Sequence, residues 1–113
     1  MLFVQRVSSN ALIYEEAYSK EIGLLLNRAE PGMEFEIDVT ELVKNAIKNG
    51  IKEEDLNQLI KINTIEGIVF VKAKPEGGFN FPYFSNVTIE TNGPTLQKND
   101  KEITKAIYLI KIK

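Results

Sequence analysis

The sequence predicts a small α+β domain in which a helical hairpin and an N-terminal helix pack on an antiparallel sheet. Three observations point there. The chain has 113 residues, room for one hydrophobic core rather than two, so residues 1–113 read as a single domain. Hydrophobic residues make up 43% and charged residues 27%, the mix of a packed globular chain and not of a disordered one. Segments with apolar residues at steps of three and four alternate with segments at steps of two, which gives the order β-α-β-α-α-β-β-β.

The elements follow in turn. Leu2 to Val7 is a short apolar run that reads as a first strand, closed by Ser8-Ser9-Asn10. It has no basic leader and no small-residue cleavage site, so it does not read as a signal peptide. Tyr14, Tyr18, Ile22, Leu25 and Ala29 recur at helical spacing and predict a helix over about Tyr14 to Ala29 with one buried stripe. Gly23 weakens that helix, and Pro31-Gly32 ends it. Met33 to Val39 alternates strictly, as a half-buried strand does.

That strand runs into the best-signalled helix of the chain. Asp38 is placed to cap it, Glu41 stands three residues on, and Ile37 and Leu42 have the spacing of a hydrophobic staple. Leu42, Val43, Ala46 and Ile47 form its apolar face, and Asn49-Gly50 supplies a left-handed stop. A second helix is expected at once. Ile51 and Leu56 repeat the staple spacing, Glu53, Glu54 and Asp55 fill the first turn, and Leu56, Leu59, Ile60 and Asn63 complete a face. Ile68 to Lys74 is rich in β-branched residues and predicts a strand. Phe79 to Phe84 reads as an aromatic loop, Asn86 to Thr91 as a strand, Asn92-Gly93-Pro94 as the start of a polar stretch, and Ala106 to Lys113 as a last strand. That last strand is apolar on both faces, which places it centrally in a sheet or across a dimer interface.

From Tyr14 to Thr91 this order resembles that of a winged helix: helix, short strand, two helices joined by a tight turn, then a two-stranded wing. Leu56-Asn57-Gln58-Leu59-Ile60 followed by Gly67-Ile68-Val69 resembles the end of a recognition helix entering the first wing strand. The resemblance implies a nucleic-acid-binding regulator. Asn45 and Asn49, however, stand where such motifs keep apolar residues. Glu53, Glu54 and Asp55 would also face phosphates at the end of the helix that should enter the groove.

Absences narrow the chemistry. Without cysteine there is no thiolate nucleophile, disulfide or cysteine-ligated metal, and without histidine there is no imidazole base. The sequence thus leans away from an enzyme, with a metal-dependent enzyme working through carboxylates as the third reading behind two kinds of binding protein, and neither a cofactor nor a catalytic residue is assigned. The carboxylate row Glu34, Glu36 and Asp38 lies on one strand face and reads as the wet side of that strand rather than as a metal site. Charge is uneven: residues 1–66 hold twelve acids and seven bases, and residues 67–113 hold four acids and seven bases.

The candidate binding residues are therefore Lys72, Lys74, Phe79, Phe81, Tyr83, Lys105 and Lys111. Ile68, Phe70, Lys72 and Lys74 share a strand face, and so do Lys105, Ile107, Leu109, Lys111 and Lys113. If those strands are neighbours, a lysine surface borders the aromatic loop, and stacking aromatics beside mobile cations suit single-stranded nucleic acid. The competing expectation is that Phe79, Phe81 and Phe84 fold back to cap the core. The preferred functional expectation is a cytoplasmic, non-catalytic binding or regulatory protein. It would be an interaction or assembly module with a protein partner or a second copy of itself. Nucleic acid is the alternative partner, and no membrane partner is expected.

Overall fold

The computed structural model describes residues 10–113, so the strand expected at Leu2 to Val7 lies outside the described residues. Helix α1 spans Ala11–Asn27, strand β1 Glu34–Asp38 and helix α2 Thr40–Lys48. A 3-10 helix covers Glu53–Gln58. Strands β2 (Ile60–Asn63), β3 (Ile68–Val71), β4 (Phe79–Pro82), β5 (Ile89–Asn99) and β6 (Glu102–Ile112) complete the described chain. The strands form two antiparallel three-stranded sheets, ordered β1-β6-β5 and β2-β3-β4. The architecture is α+β, with helices packed on antiparallel sheets. Helix α1 lies against β3 and β4, α2 lies against β6, and the two helices touch.

Local signals account for α2. An Asp38 Oδ1 atom accepts the Thr40 N–H at 2.9 Å and the Thr40 hydroxyl as well, so the carboxylate satisfies a donor that the helix leaves open. Ile37 and Leu42, the staple pair, are both buried. At the other end the Gly50 N–H donates to Ile47 O and the Ile51 N–H to Ala46 O. That pair of bonds is a Schellman stop, and Gly50 takes the positive φ of +104° that it needs. Thr40 then joins the helix to the sheet, since its Oγ1 also accepts the Ala106 N–H of β6 at 3.0 Å.

The expected helical hairpin loses its second helix. The acids at 53–55 and Leu56 form only a 3-10 helix, and Ile60 to Asn63 leaves it to pair with β3, Ile60 opposite Val71 and Asn63 opposite Ile68. Leu56, Leu59 and Ile60 are buried, as a helical face would require. Yet Ile60-Lys61-Ile62-Asn63 also alternates, and pairing it gives β3 a hydrogen-bonded neighbour along its whole length. Asn63 Oδ1 accepts the N–H groups of Ile65 and Glu66, each at 3.0 Å, and shapes the turn into β3.

Two further departures are strands where loops were expected. Phe79–Pro82 pairs with β3, and Pro82 is tolerated because β4 is an edge strand. Strand β5 runs straight through Gly93-Pro94, also on an edge, by means of a register shift between Asn92 and Thr95. Asp100 and Lys101, with φ of 54° and 75°, then turn the chain directly into β6. The last strand is central in its sheet, between β1 and β5.

Candidate functional site

The face expectations for the lysine strands hold. Val69, Val71 and Ala73 are fully buried, while Lys72 is half-buried and Lys74 exposed on the other side. On β6, Lys105 and Lys111 are exposed, opposite buried Ala106, Tyr108, Ile110 and Ile112. But β3 and β6 belong to different sheets. The condition for a shared lysine and aromatic surface, neighbouring strands, is not met. Lys72 and Lys74 go with the β2-β3-β4 sheet, Lys105 and Lys111 with the β1-β6-β5 sheet. Lys105 stands near Asp38, whose carboxyl is held below the usual range by the Thr40 hydroxyl first, then the Thr40 N–H, with a smaller contribution from Lys105.

The aromatics divide as well. Phe79 and Phe81 are half-buried on β4, opposite Val71 and Val69. The Phe81 ring fills the space beside Gly23 of α1, where any Cβ would collide with it. Gly23 therefore weakens the helix for a reason: it lets α1 settle on β4. Tyr83 is buried, and burial pushes its hydroxyl pKa up. Phe84 departs from the expectation that it caps the core, because it is 86% exposed. Its N–H donates to Asn27 Oδ1 at 2.7 Å, which ties the chain to the end of α1 while the ring faces solvent. The winged-helix resemblance fails at its central element, where a six-residue 3-10 helix stands in place of a recognition helix.

Glu34, Glu36 and Asp38 lie on the exposed side of β1. Among the described residues no group of three or more acidic, histidine or cysteine side chains is arranged to hold a metal ion. Nor is any helix among them long and apolar enough to cross a membrane.

The feature that the sequence reading missed is on α1. Its buried face is Ala11, Glu15, Ser19, Ile22, Gly23 and Leu26. The stripe expected to be buried, Tyr14, Tyr18, Leu25 and Ala29, is only half-buried, with Ile22 alone fully inside. Two polar side chains thus occupy the inner face. Glu15 is 2% exposed, and its Oε2 accepts the Ala73 N–H at 2.8 Å. Ser19 is fully buried and donates to Glu16 O at 3.1 Å. Gly77 closes over the Glu15 carboxylate, again with no room for a Cβ.

Opposite them, the solvent side of α1 carries Ile13 at 65% exposure and Leu24 at 49%. Ala17 and Lys20 lie between, and Glu16 and Glu21 flank the row. These six line a shallow groove of ≈ 580 Å³. A surface helix normally turns its apolar stripe inward and its polar face out; α1 does part of the reverse. The signal was present as Ile13, Ala17, Lys20 and Leu24 at steps of four, three and four, but the tyrosines made a neighbouring stripe look stronger. No protein-family model, curated protein or solved structure matches the chain.

Proposed function

We propose that this chain is a protein-interaction or assembly module whose contact surface is the outer face of α1. One observation carries the reading. Ile13 and Leu24 are large, apolar and exposed on the side opposite a buried face that holds Glu15 and Ser19. Burying Ile13 and Leu24 inside would have been the cheaper arrangement, at ~1.5–3 kcal/mol for each side chain of that size. A helix that keeps them outside and puts a carboxylate inside presents a surface suited to a partner. Nucleic acid is the less supported occupant. The lysines and aromatics that would bind it are spread over two sheets and the core, and the α1 groove is flanked by two acids.

The test is the double variant Ile13→Glu/Leu24→Glu. Both positions are on solvent, so its melting temperature should stay within ~2–4 °C of wild type. Complexes that tagged wild-type chain forms in its native cells, read by cross-linking and mass spectrometry, should lose their partner chain in the variant. An identical set of complexes from both proteins would reject the reading.

A further inference from the structure

The geometry points to a second copy of the same chain as the occupant of the α1 groove, docked antiparallel along a two-fold axis; this rests on the assembly reading above. The row Ile13, Ala17, Lys20, Leu24 has the 4-3-4 spacing of the d and a positions of a coiled-coil seam. A two-fold interface requires that the surface complement itself, so each residue must suit its reversed counterpart. Reversed, this row reads Leu24, Lys20, Ala17, Ile13. Ile13 then meets the partner's Leu24, and Ala17 meets the partner's Lys20. Both contacts occur twice.

The charges fit the same arrangement. Glu16 and Glu21 flank Ala17 on its own helix, one position before it and one turn after it. The small Ala17 methyl leaves room for the lysine stem of the second copy to lie across it, which brings that ammonium between Glu16 and Glu21. Each copy therefore offers two acids and one base to the same set on the other. A parallel pairing would stack Lys20 on Lys20 at the seam and is disfavoured. The seam from Ile13 to Leu24 is about 16 Å long at ~1.5 Å per residue. An interface of that size belongs to the small, reversible class, so the dimer should be concentration-dependent.

The experiment is sedimentation equilibrium of the full chain in three forms. Wild type should move from monomer to dimer below about 1 mM. Lys20→Glu makes the three charged positions all acidic, and Glu16→Lys/Glu21→Lys makes them all basic. Each variant alone should dimerise at least ~10-fold more weakly than wild type, and an equimolar mixture should form a heterodimer tighter than the wild-type dimer. All substituted positions face solvent, and circular dichroism is the check that each variant folds. Mixed variants that stay monomeric while folded would overturn the proposal. Wild type that stays monomeric at about 1 mM, yet binds a different protein through Ile13 and Leu24, would overturn self-pairing and leave the assembly reading standing. A dimer unaffected by the Ile13→Glu/Leu24→Glu variant would overturn both.

Discussion

Glu15 is the residue whose environment departs furthest from its chemistry. A carboxylate that is 2% exposed, next to the end of β3 and under Gly77, survives because it satisfies the buried Ala73 N–H. Glu15→Ala should destabilise the fold by about 1–3 kcal/mol, because it leaves that amide without a partner. Glu15→Gln keeps an acceptor oxygen and should cost less; urea denaturation compares the two, and equal losses would show that volume rather than the hydrogen bond matters. Asp38 gives the matching case at the surface. Its folded-state pKa lies below the unfolded one, so its contribution to stability is present above about pH 4 and fades as pH falls below that. Asp38→Asn can still accept the Thr40 N–H but lacks the charge that strengthens the bond, so the variant should be less stable than wild type near pH 7 and converge on it as pH falls, its own loss on acidification being shallower. Melting temperatures from pH 7 to pH 2 measure it; parallel curves would remove Asp38 as a source of acid sensitivity.

At the level of elements, the β5–β6 hairpin turns on two residues with positive φ, Asp100 and Lys101. That is the backbone of a two-residue hairpin turn, whose second position favours glycine. Lysine at φ 75° is strained there, so Lys101→Gly should raise stability by about 0.5–1 kcal/mol, and a fall in melting temperature would mean that the lysine stem contributes contacts. The same hairpin shows why some elements were readable and others not. Helix α2 was legible because the Asp38 bond to the Thr40 N–H, the buried Ile37 and Leu42 pair and the stop at Gly50 are all local, although Val39 rather than Asp38 is the residue that precedes the helix. The faces of β3 and β6 were legible because alternation survives in any sheet order. Strand β5 was hidden by Gly93-Pro94, which mark a turn in most chains but sit in a register shift on an edge here. Ile60 to Asn63 fitted either period, and only the need of β3 for a neighbour decides it. The inner face of α1 was illegible since the residues it buries include a glutamate and a serine. The lysine and aromatic surface depended on strand order, which no local pattern encodes.

For the whole molecule, the two sheets share no strand, and α1 and α2 connect them. Amide hydrogen exchange should therefore report the halves separately. In Glu15→Ala, the N–H groups of β3 and β4 should exchange faster, while those of β6 change less; a uniform acceleration would show one cooperative unit instead. The register of β1 has a consequence for the order of assembly. Glu34 and Asp38 find their partners at Lys111 and Ile107, whereas β2, β3 and β4 pair with strands a few residues away in sequence. A ribosome delivers the chain N-terminus first, so the β2-β3-β4 sheet and the helix above it can form while β1 is still without a neighbour. Throughout that interval the alternating apolar side chains of β1, Phe35 and Ile37, are held by the nascent chain with nothing to pair against. The charged residues beside them, Glu34, Glu36 and Asp38, then act as a guard for a strand that is made early and used late.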